Sequence, residues 1–176
     1  MNRTTQVLLT LAVLGTAWFT FSSFTTPQKE EPKDLDIQNI YVASYSVSYS
    51  QALQQPLEVS YVVNCAIPEI QRGSKGFKSS PFGTITSNND DYKDNVWDKG
   101  HMAPAASFAC NVAQFNQTFY WENCALQHEA LNRGPWKEVE EFERNLAKVF
   151  DTVRVDIKVD FPGWCEVLET GATVPD

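Results

Sequence analysis

Histidine is the side chain whose ordinary pKa lets it exchange protons near neutral pH, and this chain of 176 residues has two, His101 and His128. His101 is the better placed. It sits in Trp97-Asp98-Lys99-Gly100-His101-Met102, where a carboxylate, a cation, a glycine that allows close backbone approach and an imidazole fall together. Such a group could carry out acid–base chemistry on an anion such as phosphate, with the carboxylate orienting the imidazole and the ammonium meeting the anion. The same residues also suit a surface turn with one satisfied histidine.

A second group lies downstream, where Asn132-Arg133-Gly134-Pro135-Trp136 reads as a helix start with proline in its first turn and the charged periodic run to about Phe150 as the helix. At about 100° per residue, Glu140 lies roughly 80° and Arg144 roughly 120° round from Asn132, so all three can project from one side. An amide oxygen can bind a hard cation such as Mg²⁺, a carboxylate can hold the metal's waters, and a guanidinium can clamp phosphate. The competing reading is a solvated helix face with an ordinary Glu140–Arg144 ion pair.

The elements that must position these groups are legible in outline. Tyr45, Val47 and Tyr49 alternate with serines, and after a Gln-Gln-Pro turn Leu57 to Val63 follows, which predicts a hairpin. Gln71 to Asn89 is rich in Gly, Ser, Lys and Asn and predicts a long loop carrying Arg72, Lys75 and Lys78 with no acidic residue among them. Val153, Val155, Ile157 and Val159 alternate into a strand. Strands, loop, strands, helix and strand in that order predict an α+β domain rather than a βαβ repeat. With 43% hydrophobic residues the chain can bury one sizeable core, and its net charge of −8 excludes a protein that holds nucleic acid by bulk positive charge.

From Arg3 to Lys29 no residue between is charged, and Val7 to Phe24 is largely apolar. This predicts a signal peptide or membrane anchor over residues 1–26, a linker over 27–36 and a domain over 37–176. The domain is accordingly expected to be secreted or periplasmic, or anchored on the exported side of a membrane. Cys65, Cys110, Cys124 and Cys165 form no C-x-x-C pair, and in an exported chain four cysteines predict two disulfides with three pairings open. The four-residue spacing of Cys124 and His128 offers zinc as the rival use.

Taken together, the two groups resemble the DNA/RNA non-specific endonuclease family of the ββα-metal type. The family signature Asp-Arg-Gly-His, followed by Ala-Pro and small residues, is matched by Asp98-Lys99-Gly100-His101-Met102-Ala103-Pro104-Ala105-Ala106-Ser107, with Asp91-Tyr92 before it. The family's Asn, Gln and Asn-x-Gly-x-Trp follow as Asn123, Gln127 and Asn132-Arg133-Gly134-Pro135-Trp136, then Glu140 and Arg144. The similarity covers residues 40–176. It implies an antiparallel or mixed central sheet with a ββα-metal finger, and a phosphodiesterase that cuts DNA and RNA with little sequence preference. It further implies His101 as general base, Asn132 as the sole direct protein ligand of Mg²⁺ (Mn²⁺ as a substitute ion), and Glu140 on metal-bound water. Arg144 would bind phosphate, Asp98 and Lys99 would complete the signature, Asn123 would orient His101 or substrate, and Arg72 and Lys75 would bind substrate.

Three departures accompany the match. Lys99 stands where arginine is usual, and the two differ where a planar fork grips phosphate. Lys75, or else Arg72, stands for the family's basic-loop arginine. Family chains usually continue beyond Val-Pro into a further strand, whereas Val174-Pro175-Asp176 ends this sequence, which predicts an exposed sheet edge. These departures keep open an alternative, a catalytically impaired nuclease-fold module that binds nucleic acid or inhibits.

Overall fold

The computed structural model describes residues 35–150, 152–161 and 165–175, so the expected signal or anchor and most of the linker lie outside the described residues. Among those described, no helix is long and apolar enough to cross a membrane. The predicted hairpin is present as β2 (Tyr45–Ser50) and β3 (Gln55–Val62), antiparallel with Val47 opposite Val59. Alternation explains it: Tyr45, Val47 and Tyr49 turn inward and are buried, as are Val59 and Tyr61 across the ladder. A strand that the sequence reading did not anticipate, β1 (Ile37–Tyr41), pairs with β2.

The two-stranded hairpin at the candidate site consists of β4 (Trp97–His101) and β5 (Cys124–His128), with His101 opposite Cys124 and Trp97 opposite His128. Gly100 leaves room for the Gln127 side chain, because a Cβ at that position would lie 2.1 Å from its oxygen and would push it aside. Between the two strands runs a short helix, α1 (Val112–Gln117), capped by the Asn111 side chain. After β5 come one turn of helix, α2 (Glu129–Leu131), a widened π turn over Asn132–Trp136, and α3 (Lys137–Leu146). Last comes β6 (Arg154–Lys158), the predicted alternating strand, which pairs with β3 and completes an antiparallel sheet of order β1-β2-β3-β6. Gln71–Asn89 is the expected loop up to its last residue, and Lys78 is stitched to Phe119 and Trp121 by backbone hydrogen bonds of 2.9 and 3.2 Å.

The main core forms where the inward face of the sheet meets Met102, Ala103, Phe108 and Ala125, so the segment directly after His101 is anchored in the interior. Ser107 and Leu126 tie this layer to the sheet: Asn64 N–H donates to the Ser107 carbonyl, and Leu126 N–H donates to the Gln55 side chain. A second cluster of Cys65, Ala109, Phe115 and Phe119 lies beneath the loop and contains the Cys65–Cys110 disulfide.

The expectation of two disulfides is corrected. Cys124 is a buried thiol on β5, with Sγ 3.2 Å from the Tyr92 hydroxyl, and burial pushes that thiol up to about 12, so it stays protonated. Zinc at Cys124 and His128 is not supported either. Among the described residues no three His, Cys, Asp or Glu side chains are placed to hold a metal, and His128 Nδ1 accepts the Ala130 N–H at the start of α2.

Candidate active site on the hairpin and helix

Strand alternation sends Trp97, Lys99 and His101 to one face of β4 and Asp98 and Gly100 to the other. On the first face a continuous row of rings forms. Phe115 meets Phe119 at 5.3 Å, Phe119 meets Phe77 at 5.9 Å, Phe77 stacks on Trp121 at 5.3 Å, and Trp121 stacks on Tyr92 at 6.0 Å. The His101 imidazole is inserted in the middle, 4.5 Å from the Phe77 ring and 5.0 Å edge-on to Phe119.

Cations ride on this row. Lys75 lies over Phe115, Arg72 over Phe119, and Lys99 over both Tyr92 and Trp121 at 5.6 and 5.7 Å, where it also donates to the Asn89 side chain at 2.5 Å. Lys78 extends the set over Tyr120. Among the described residues none of these four cations is in an ion pair, whereas Arg133, Lys137, Arg154 and Lys158 all are.

Nε2 of His101 is closed off from solvent, with no hydrogen-bond partner among the described residues. Desolvation, reinforced by the nearby Arg72 charge, lowers the imidazole pKa from 6.5 to about 3, so the ring is neutral at any ordinary pH. The ring is therefore in the uncharged form from which a general base starts, and the same desolvation makes it a weak proton acceptor for as long as Nε2 stays sealed.

The expectation that Asp98 orients His101 is corrected. The two side chains leave opposite faces of β4, three residues apart in a strand of period two. Asp98 instead receives the Arg133 guanidinium through two bonds of 2.8 Å and the Asn132 amide Nδ2 at 3.0 Å. The Arg133 hydrogen bonds hold its carboxyl below the usual carboxylate range.

Asn123 is also reassigned. It is wholly buried, its Oδ1 accepts the Ala103 N–H, and its Nδ2 donates to the Ala103 and Thr118 carbonyls. Both of its polar atoms are engaged by backbone, so it fixes the chain two residues past His101 rather than touching the imidazole.

A regular helix from Asn132 is likewise not what forms. Gly134 leaves helical geometry at φ −113°, ψ −110°, and Pro135 has no N–H to continue the ladder, so the turn widens and the 80° and 120° projections measured from Asn132 do not apply. The groups are joined in another way. Trp136 Nε1 donates to the His101 carbonyl at 3.3 Å and also reaches the Glu140 carboxylate, one turn on.

Within α3 the i,i+4 relation of Glu140 and Arg144 is regular, yet the two are not within ion-pair distance. Among the described residues Arg144 Nη1 is buried without a hydrogen-bond partner, and burial raises the Glu140 pKa from 4.5 to about 7 against the opposing pull of the Arg144 charge. Glu143, between them in sequence, is buried and accepts the Tyr61 hydroxyl at 2.7 Å, which pins α3 to the sheet.

The structure therefore brings His101, Lys99, Arg72 and Lys75 to one aromatic row. It links Asn132 and Glu140 to the same hairpin through Asp98 and Trp136, and Arg144 lies one turn beyond Glu140 on α3. Phe77, Trp136 and Arg133 are the participants that the sequence reading did not single out. An aromatic residue set between Lys75 and Lys78 in a mostly polar loop was the available signal for the first. A groove of about 480 Å³ lined by Trp97, Met102, Leu131, Trp136, Ile157 and Val159 lies by the same hairpin, but neither His101 nor Lys99 lines it.

The profile of the DNA/RNA non-specific endonuclease family matches residues 22–159. Bovine mitochondrial endonuclease G is 31% identical over 120 residues, which are 64% of this chain and 39% of that protein. Human mitochondrial nuclease EXOG is 30% identical over 116 residues, 64% of this chain and 32% of that one. The chain thus spans about two fifths or less of the curated relatives it matches. A crystal structure of an EndoG/EndoGI complex, which describes the mechanism of EndoG inhibition, superposes with a TM-score of 0.65 at 24% identity, over 84% of this chain and 66% of that one. The fold is that of the ββα-metal nucleases, and with a profile match across most of its length the chain belongs to the DNA/RNA non-specific endonuclease family.

Proposed function

We propose that this protein is a divalent-metal-dependent endonuclease that hydrolyses phosphodiester bonds of DNA and RNA, with His101 as general base. The observation that carries the reading is the neutral His101 ring midway along a row of rings bearing Lys75, Arg72 and Lys99, none of which forms an ion pair among the described residues. In a chain of net charge −8, cations left unpaired on one surface supply a local place for a phosphate backbone. Contacts of this kind hold the backbone and read no base edges, which fits cleavage with little sequence preference.

In the proposed reaction His101 takes a proton from a water whose oxygen attacks phosphorus as the bond to the 3′ oxygen breaks, the leaving oxygen takes a proton from solvent, and His101 later returns its proton to solvent. The products are a 5′ phosphate and a 3′ hydroxyl. Lys99 and Arg72 meet the non-bridging oxygens, and the unpartnered Arg144 Nη1 is available to do the same. The residues also fit a sparse, hydrated metal site. Asn132 Nδ2 is committed to Asp98, and no described residue donates to its Oδ1, which leaves one hard oxygen donor. Glu140, tied to the same hairpin through Trp136, can accept from metal-bound water. Mg²⁺ suits such a site because it keeps most of its waters, with Mn²⁺ as a substitute, and when bound it would stabilise charge developing on the phosphate. We further propose that the N-terminal apolar segment exports or anchors the domain.

The test is cleavage of supercoiled plasmid and of single-stranded RNA by wild type and by His101→Ala, with Mg²⁺ and with EDTA. Degradation of both substrates only by wild type and only with metal is expected. Full activity of His101→Ala would refute the base assignment, and a folded wild type that binds but does not cut would return the reading to a nuclease-fold binding module.

A further inference from the structure

Arg133 is more than half exposed, yet all three edges of its guanidinium are engaged. Nε and Nη2 grip the two oxygens of Asp98 at 2.8 Å each, and Nη1 meets Glu129 at 2.8 Å. It is therefore not presented to an incoming phosphate, unlike Arg72 or Lys99. Its grip leaves Asp98 one direction of freedom fewer, and the same Asp98 Oδ2 accepts the Asn132 amide nitrogen at 3.0 Å. An asparagine amide can turn over and exchange its oxygen for its nitrogen with little change in shape, and only the donor–acceptor pattern around it decides which end points where.

From this chain of contacts we propose that Arg133 is a positioning residue. By clamping Asp98 it locks the Asn132 amide with the nitrogen toward β4 and the oxygen toward the metal position, and it keeps both Asp98 oxygens from competing for the ion. The inference rests on the proposed metal role of Asn132. Glu129 completes the strap, since its own N–H donates to the Val96 carbonyl at the start of β4, so the guanidinium spans strand and helix start at once.

The sign of the effect separates positioning from plain electrostatics. Removing a positive charge near a dication should tighten metal binding if charge alone matters. Losing an orienting partner behind a ligand typically weakens metal affinity by about 10-fold to 100-fold.

The experiment is titration of the full chain, without nucleic acid, with Mn²⁺, with free Mn²⁺ read by electron paramagnetic resonance. Arg133→Ala is expected to bind Mn²⁺ about tenfold more weakly than wild type. Arg133→Lys, which keeps the charge but cannot hold both carboxylate oxygens, is expected to weaken binding as well. Should Arg133→Ala be unfolded by circular dichroism, the lysine variant decides. Binding equal to or tighter than wild type in a folded variant overturns the positioning role. Asn132→Ala is the control on the underlying reading: if it binds Mn²⁺ like wild type, the metal assignment fails and the role of Arg133 with it. If it loses binding while Arg133→Lys does not, only the role of Arg133 fails.

Discussion

Acid stability tests the burial of His101 without any substrate. Its folded-state pKa of about 3 lies below the ordinary 6.5, so the unfolded chain takes up a proton in a window where the folded chain does not. The resulting stabilisation is fully present above about pH 6.5 and is lost as pH falls toward 3. At pH 5 the unfolded imidazole is protonated by roughly 30 to 1, so falling from pH 7 to pH 5 removes about 2 kcal/mol.

Glu140 works in the opposite direction. Its folded pKa of about 7 lies above the ordinary 4.5, so its cost is felt above pH 7 and is relieved as pH falls toward 4.5, returning about 2 kcal/mol between pH 7 and 5. The two contributions nearly cancel in the wild type, and single variants expose them. Measured by urea denaturation in EDTA at pH 7, 6 and 5, Glu140→Gln is expected to lose about 2 kcal/mol more than wild type across that range, and His101→Asn about 2 kcal/mol less. Any pH-independent cost of either substitution drops out of these differences. If His101→Asn and wild type run parallel from pH 7 to pH 5, the imidazole is not sealed beneath Phe77 and the argument for its neutrality collapses.

Other outcomes follow from the same contacts. Phe77→Ala removes the ring 4.5 Å from His101, so the His101 midpoint should rise toward 6.5, which a ¹H–¹³C NMR titration of the imidazole would show. Gly100→Ala would drive a methyl group into the buried Gln127 side chain and should cost about 1–3 kcal/mol in thermal or urea unfolding, with Gln127→Ala in the double variant recovering much of it. Replacing both Cys65 and Cys110 by serine opens a cross-link 45 residues apart and should lower stability by about 4 kcal/mol in the chain-entropy account, measurable by denaturant midpoint.

Much of the scaffold was legible because its signals are local. Tyr45-Ser46-Val47-Ser48-Tyr49 and the Val153 to Val159 alternation each announce a strand with one buried face, and both faces meet the core. Asn132 with Pro135 announces a helix start but not its irregularity. The π turn reflects the demands of Asp98 on Asn132 and of the His101 carbonyl on Trp136, which are contacts across 34 and 35 residues. The reading of Asp98 as partner to His101 failed because nearness in sequence was taken for nearness in space. Had Trp97 to His101 been read as a strand, period two would have put the two on opposite faces. β1 escaped notice because a polar Gln38 shares the inward face with Ile40 while Ile37 and Tyr41 are exposed, so Ile40 is the one buried apolar residue of the strand. The second disulfide could not be decided from counting cysteines, since what keeps Cys124 a thiol is its place under Tyr92.

The Cys65–Cys110 bond divides the candidate site topologically. Arg72, Lys75, Phe77, Asp98, Lys99 and His101 all lie inside the covalent ring it closes, and Asn132, Arg133, Glu140 and Arg144 lie outside. A protease nick at the exposed Gly73–Gly76 stretch would therefore leave His101 and the helix on one continuous chain, with the fragment that carries Arg72 still joined to it through sulfur. A nick in the exposed Asn111–Ala113 segment, beyond both cysteines, would leave only noncovalent contacts between the halves, so that denaturation would part His101 from Asn132 in one step.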